Sequence, residues 1–420
     1  MRNNLNISIF GLGYVGLPLA IKLSKYFNVL GFDKNKQRIR ELKNFFDKNN
    51  EINSNSLKKS KLKYSSKLED IKNSNIFIVT VPTPVTKSNQ PDLKPITNAC
   101  RDIGKNLTKG SIIVFESTVY PGVTEEVCGP LIQKYSKLKP KKDFHLGYSP
   151  ERMNPGDKKH SVDKITKVIS GDTNKTISIL KKIYGKVNSG KIFVAQNIKT
   201  AEAAKVIENT QRDINVAFIN EITKLFKKIN INIYDVLKTA ETKWNFLNFK
   251  PGFVGGHCIG VDPYYLSFLA KKKKIGSNLI LSGRKINNDF PKFLAQYINN
   301  KIGKKKKILI LGLTFKENVN DLRNTKVVDL IKSLKNKGHK VFVNDTQANI
   351  NEVKKMNLNL ISLSNKEKFD TLILAVAHDE YKKLNYSFFE KKLNKNAKIF
   401  DLKAIWTNKR FPKKVTYIIL

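Results

Sequence analysis

The sequence predicts an α/β fold: two doubly wound parallel sheets joined by a long central helix. Three stretches predict it. An apolar strand at 6–10 is followed at once by Gly11-Leu12-Gly13-Tyr14-Val15-Gly16, a helical pattern at 17–26, a second strand at 28–32 and Asp33. A similar unit opens at 307–311, with Gly312, a helix over 325–337, a strand over 340–343 and Asp345. Between them the pattern turns helical and stays so from about 200 to 230. Both outer units are Rossmann-like, and the expected domains are 1–195, 196–300 and 301–420.

In the first unit the three glycines divide the labour. Gly11 makes the tight turn, Gly13 lets a pyrophosphate approach the backbone, and Gly16 lets helix and strand pack. Tyr14 and Val15 complete the turn, whose helix N-terminus faces the phosphates. Asp33 is placed to accept hydrogen bonds from the adenosine ribose and to repel a 2′-phosphate, so the expected cofactor is NAD rather than NADP. Arg38 either reaches that ribose or a phosphate, or is an exposed helix arginine. The segment 42–72 reads as irregular helix and loop.

A strand over 75–81 runs into Pro82-Thr83-Pro84, a rigid segment at the carboxyl end of a strand, which makes Thr83 a cofactor-site candidate. The strand 111–115 ends in Glu116-Ser117-Thr118, whose hydroxyls face the nicotinamide or a catalytic water, or cap the next helix. The strand 144–148 leads to Ser149-Pro150-Glu151-Arg152-Met153, where a carboxylate and a guanidinium are either site groups or surface charges. Strands over 168–171 and 190–194 close the domain.

Along the central helix Glu202, Lys205, Asn209 and Arg212 recur at spacings of three and four, forming one stripe. Such a stripe is either a solvated face or a set of cationic and amide donors, and the helix itself suits a dimer contact. Val206, Val216, Phe218, Ile219, Ile222 and Leu225 are expected to pack. Beyond it lies Gly255-Gly256-His257-Cys258, with Asp262 four residues on. Glycines let a ligand approach the main chain, and a thiol in such a loop is a candidate nucleophile. The plain alternative is a small buried cysteine.

The third region departs from the glycine fingerprint after Gly312: Lys316 and Arg323 stand where a glycine-rich turn would be, and suit phosphate recognition by side chains. Cys100, Cys128 and Cys258 are widely spaced without a CxxC, which argues against a disulfide framework or a zinc site and for a reducing cytoplasm; no metal is expected. No apolar run reaches membrane-spanning length, and no signal peptide opens the chain. Across 420 residues, 78 basic against 35 acidic side chains give +43. Read literally, that charge proposes nucleic acid or an anionic membrane. It is spread Lys with little Arg and no aromatic-interleaved basic motif, so compositional bias explains it, and no specific nucleic-acid partner is expected. The charge still helps attract an anionic substrate.

Together Gly-Leu-Gly-Tyr-Val-Gly, Val-Pro-Thr-Pro, Ser-Thr-Val, Ser-Pro-Glu-Arg, Gly-Gly-His-Cys and the run from Phe315-Lys316 to Asp321-Leu322-Arg323 resemble the UDP-glucose/GDP-mannose dehydrogenases across essentially the whole chain. The resemblance implies two NAD-dependent oxidations that carry a sugar C6 hydroxyl to a carboxylate. It implies Cys258 as nucleophile, with Lys205 and Asn209 stabilising an oxyanion and Asp262, Glu151 and Thr118 positioning or activating water. It gathers Arg152, Met153, Lys205, Asn209, Arg212, Gly255, Phe315, Lys316 and Arg323 around a UDP-sugar. It also implies a homodimer or higher homo-oligomer. Many UDP-glucose members carry a second glutamate four residues after the first in the Ser-Pro-Glu loop; here that position is Pro155. The loop, with Glu241-Thr242-Lys243-Trp244-Asn245-Phe246, is more similar to the branch acting on UDP-N-acetylhexosamines that feeds capsule or O-antigen polysaccharides. UDP-glucose and the manno isomer remain alternatives. The rival classes are a single-step dehydrogenase on the same scaffold, which needs no cysteine, and a basic nucleic-acid-binding protein.

Overall fold

The computed structural model describes residues 5–152, 164–188 and 191–420. The chain divides into two compact units, Met1–Glu208 with Tyr264–Gly276, and Asn209–Pro263 with Ser277–Leu420. It passes from the first unit to the second within the helix Ile198–Lys228.

The first unit carries an eight-stranded sheet made of β1 (Asn6–Phe10), β2 (Asn28–Phe32), β3 (Lys63–Ser65), β4 (Ile76–Val79), β5 (Ser111–Phe115), β6 (Phe144–Tyr148), β7 (Lys167–Gly171) and β8 (Ile192–Val194). The spatial order is β3-β2-β1-β4-β5-β6-β7-β8. Reversal of strand order between β1 and β4 makes the crevice where open α/β sheets bind ligands. All residues of β4 and β5 are buried, as a sheet covered on both faces requires.

Two features differ from the sequence expectation. The polar segment 42–72, read as irregular helix and loop, has a helix at Ser54–Lys58 but also contributes the strand β3. And the sheet is not parallel throughout: β7 runs antiparallel to β6, with Tyr148 opposite Ser170. A short apolar run reads the same in either direction, so spacing alone does not reveal this step.

In the second unit β9 (Lys307–Leu311), β10 (Lys340–Asn344), β11 (Phe369–Leu374), β12 (Leu393–Asp401) and β13 (Thr416–Ile419) form a wholly parallel sheet of order β10-β9-β11-β12-β13. Its two faces bury different clusters, Ile308, Ile310 and Ile373 with Phe290 and Leu294 on one side, and Leu309, Leu311 and Leu372 with Tyr381 and Trp406 on the other. Alternation along each strand produces the two faces. The expected packing of Phe218 and Leu225 is corrected: both are more than half exposed on the long helix.

Candidate active site

The first turn is built as its glycines require. Gly11 adopts φ +97°, its N–H donates to the Phe32 carbonyl at 2.9 Å, and the Leu12 N–H donates to Asp33 Oδ2 at 2.9 Å. A Cβ on Gly16 would lie 1.9 Å from the Gly11 carbonyl oxygen, so only glycine fits there. A Cβ on Gly13 would meet no described atom within 4 Å: the protein itself does not need that glycine, but a ligand lying on the turn would. Tyr14 and Val15 lie half-buried on the turn, Val15 just before the helix Gly16–Leu23. Beside the turn a cavity of about 360 Å³ is lined by Gly11, Asp33, Lys34, Pro82, Lys94 and Asn98, among others. Asp33 keeps its place through a second acceptance, from the Asn35 N–H at 2.9 Å. An acidic rim, an open glycine and a helix start suit a dinucleotide.

Arg38 is not an exposed helix arginine. It is 4% exposed, its Nε donates to the Leu12 carbonyl at 2.9 Å, and its guanidinium pairs with Asp47 at 2.7 Å. It braces the glycine turn from below.

At the carboxyl ends of β4, β5 and β6 lie the other candidates of this unit. The Thr83 carbonyl accepts the Tyr265 hydroxyl at 2.8 Å, and Thr118 is half-buried beside Ser117, whose hydroxyl donates to the Val81 carbonyl at 2.6 Å. Glu151 stands 3.6 Å from Lys167 Nζ, which also bonds Glu116 at 2.8 Å; Tyr184 donates to the same Glu116 at 2.5 Å. Burial opposes the Lys167 charge, but Glu116 and Glu151 outweigh it and lift its pKa above the ordinary lysine value. Arg152 pairs with Glu208 at 2.9 Å. Met153 lies outside the described residues.

On the long helix, Glu202 is fully buried and Lys205 is 8% exposed, so the stripe is not a solvated face at those positions; Arg212 is exposed. Glu202 accepts the N–H groups of Gly122 and Thr124, and burial pushes its carboxyl up to about 7.

In the second unit the Cys258 turn is tied at several points. The Cys258 carbonyl accepts the N–H groups of Val261 and Asp262, each at 2.9 Å, which closes one turn and starts the helix Asp262–Lys272. Asp262 is therefore one turn from Cys258, as its spacing predicts. It is 2% exposed and accepts Asn209 Nδ2 at 2.5 Å. Gly256, at φ +78°, donates to the Arg323 carbonyl and accepts Asn324 Nδ2, and a Cβ there would strike the Phe315 ring at 2.8 Å. A Cβ on Gly255 would be as crowded, 2.9 Å from the Asn324 carbonyl oxygen. Cys258 itself is half-buried, whereas Cys100 and Cys128 are buried.

Of the cationic candidates here, Arg323 clasps Asp321 through Nε and an NH2 group at 2.7–3.1 Å while remaining 47% exposed. Lys316 follows Phe315 on the loop after β9 and is half-buried. Sequence reasoning missed a second cavity of about 360 Å³ in this unit, lined by Lys250, Phe253, Glu317, Lys382 and Lys403 with Tyr234. Burial works against the Glu317 charge, but Lys403, 3.0 Å away, holds its carboxyl down to about 2. Isolated lysines in a lysine-rich chain carry no local signal, so only the fold brings these three to one cavity. Lys167 was missed for the same reason.

The NAD binding domain profile of the UDP-glucose/GDP-mannose dehydrogenase family matches residues 5–188, its central domain profile matches 199–289 and its UDP binding domain profile matches 309–408. The chain is 48% identical to Protein CapL of Staphylococcus aureus over 410 residues, 96% of each chain. It is 43% identical to UDP-N-acetyl-D-glucosamine 6-dehydrogenase of Pseudomonas aeruginosa, over 96% of this chain and 97% of that one. The solved structure of a UDP-D-ManNAc dehydrogenase from Pyrococcus horikoshii matches it with a TM-score of 0.87 at 29% identity, covering 99% of both chains.

Proposed function

The chain belongs to the UDP-glucose/GDP-mannose dehydrogenase family, and from that premise we propose that it oxidises the C6 hydroxyl of a UDP-N-acetylhexosamine, gluco or galacto, to the uronate. That it is an NAD-dependent UDP-sugar dehydrogenase follows from the family and its relatives. The N-acetylhexosamine is supported by the relatives' substrate and by Pro155 in the place of a second glutamate.

NAD, when bound, accepts a hydride in each of two oxidations. The chain supplies the rest. After the first oxidation Cys258 adds as thiolate to the C6 aldehyde, giving a thiohemiacetal; the second leaves a thioester. Water then forms a C–O bond as the C–S bond breaks, returning the thiolate and releasing the carboxylate. Asn209 and Lys205 carry the oxyanion role, and Asp262, Glu151 and Thr118 the handling of water. The nucleotide end of the substrate falls to the cavity of Lys250, Lys382 and Lys403, with Lys316 and Arg323 as further cations.

One observation carries this reading: the thiol turn and the buried Asp262–Asn209 pair are fixed by the same backbone turn, so nucleophile and carboxylate keep a set spacing. Mixing the enzyme with NAD and each UDP-sugar tests it. Two NADH per N-acetylhexosamine support the thioester route; two NADH from UDP-glucose alone would overturn the substrate. Cys258→Ala should abolish turnover with NAD affinity intact.

The three-part division of labour over 1–195, 196–300 and 301–420 belongs to the same proposal, as do cytoplasmic residence and a product destined for surface polysaccharide. Among the described residues no helix is long and apolar enough to cross a membrane. A homo-oligomer belongs to it too. Phe218 and Leu225, 57% and 52% exposed and about two turns apart on one face of the long helix, form an apolar stripe suited to a second copy. Phe218→Glu should reduce the mass measured by light scattering if that surface is the contact.

A further inference from the structure

The helices Ile198–Lys228 and Asn278–Ile302 hold a buried polar cluster that the catalytic reading does not use. Arg284, 3% exposed, donates through NH1 to Asp213 Oδ1 at 2.6 Å and through NH2 to Asn288 Oδ1 at 2.7 Å. Asn287, fully buried, donates to the Asp213 carbonyl at 2.9 Å and to its Oδ1 at 2.7 Å, and accepts Asn220 Nδ2 at 2.8 Å. Asn220, also fully buried, clasps the main chain of Gly252 from both sides: its Nδ2 donates to the Gly252 carbonyl at 3.0 Å and its Oδ1 accepts the Gly252 N–H at 2.9 Å.

Gly252 opens the loop that carries Cys258, and the same cluster reaches the loop's far end. A Cβ on Gly260 would lie 3.7 Å from Arg284 NH2 and 3.8 Å from NH1, so the guanidinium faces the backbone two residues past the thiol across the space that a methyl group would fill. Stability does not explain this arrangement. A buried Arg–carboxylate pair is often no better for stability than well-packed apolar residues, because desolvating both charges offsets their attraction. What such a pair supplies is direction: a planar guanidinium held at both ends has little rotational freedom left.

The geometry points to Arg284 as a positioning residue for Cys258: through Asp213, Asn287 and Asn220 it fixes the start of the loop at Gly252, and its guanidinium walls the turn at Gly260. This rests on the reading of Cys258 as nucleophile. Arg284 touches no reacting atom in this account; with its partners it frames the turn that carries the thiol. Catalytic geometry tolerates little error, and a displacement of about 1 Å costs on the order of a hundredfold in rate.

Two readouts on the full-length enzyme test this. One is the rate at which iodoacetamide alkylates Cys258 at neutral pH, read by peptide mass; Cys100 and Cys128 are fully buried and stay silent. The other is kcat and KM for NAD and for the UDP-sugar. Arg284→Met should lower kcat by about tenfold or more and change the alkylation rate by about threefold or more, with KM for NAD unchanged. Arg284→Lys should recover part of both. Asn220→Ala, which loosens only the Gly252 end, should move both readouts the same way, and serves if Arg284→Met does not fold. A lowered melting temperature, with kcat and alkylation within about twofold of the parent in the variants that fold, would overturn the assignment. If Cys258→Ala instead keeps its turnover, the nucleophile reading fails, while the alkylation arm still decides whether Arg284 positions this turn.

Discussion

The two Rossmann-like turns of this chain share a frame and differ in what fills it. In both, a strand ends in a glycine at strongly positive φ, +97° at Gly11 and +90° at Gly312. In both, that glycine's N–H donates at 2.9 Å to the last residue of the neighbouring strand, Phe32 or Asn344. In both, the next N–H donates to an aspartate just past that strand, Asp33 or Asp345. There the likeness stops. Asp33 borders a cavity and Gly13 faces open space. Asp345 is sealed: His378 Nε2 lies 3.0 Å from its Oδ2, Thr314 N–H donates to it at 2.9 Å, and Val376 crowds Gly312. His378 accepts the Asn318 N–H on Nδ1, so Nε2 carries the proton toward Asp345. Both carboxylates brace a turn, but one also borders open space while the other is closed off by protein.

The largest effect that sharpens the contrast belongs to the glycines. Gly16→Ala should cost about 3 kcal/mol or more, since its Cβ would sit on the Gly11 carbonyl, and should abolish NAD binding. Gly312→Ala should likewise destabilise, by about 2 kcal/mol or more, through positive φ and the Val376 contact. Gly13→Ala should leave the melting temperature nearly unchanged yet raise KM for NAD about tenfold or more. Calorimetry with NAD titration checks all three. Equal melting losses at Gly13 and Gly16 would mean that the first turn has no vacancy for a ligand.

Next in size is the sealed carboxylate. Burial works against the Asp345 charge, but His378 and the Leu313 and Thr314 N–H groups hold its carboxyl down to about 2. The folded value lies below that of the unfolded chain. The stabilisation, about 2 kcal/mol, is therefore complete above the ordinary carboxylate range and is lost as pH falls toward the folded value. Asp345→Asn should remove that part of the acid dependence in urea melts of the enzyme. An unchanged acid limb would show that Asp345 does not link folding to pH.

Much of this was legible before any coordinates. Gly11, Gly13, Gly16 and Asp33 announced the first turn because each answers a separate geometric demand, and Cys258 with Asp262 announced the thiol turn by spacing. The seal on Asp345 was not legible, because His378 lies 33 residues beyond it and neither position carries a local pattern. The burial of Arg38 was not legible, because its partner Asp47 lies outside any helical repeat. Lys167 and Lys403 vanish among the lysines of a strongly basic chain. Local geometry is written in short spacings; long-range pairing of single charges is not.

The smallest effect is the most informative about the open turn. Asp33 lines its cavity together with Lys34, Lys94 and a second carboxylate, Asp92, and Lys34 is paired with Asp102 at 2.6 Å. The cavity is thus not short of cations, and a preference for NAD would depend on its carboxylates, Asp33 above all, rather than on a lack of positive charge. Asp33→Asn can keep the side-chain oxygen that accepts the Leu12 N–H, gives up the acceptance from the Asn35 N–H, and removes the charge. It should weaken NAD binding modestly and raise the kcat/KM ratio of NADP to NAD by about tenfold or more, about 1.4 kcal/mol of lost repulsion. The matching change at Asp345 should leave that ratio untouched. If Asp33→Asn lowers activity with both cofactors equally, Asp33 is a brace for the turn, and the two aspartates are more alike than their surroundings suggest.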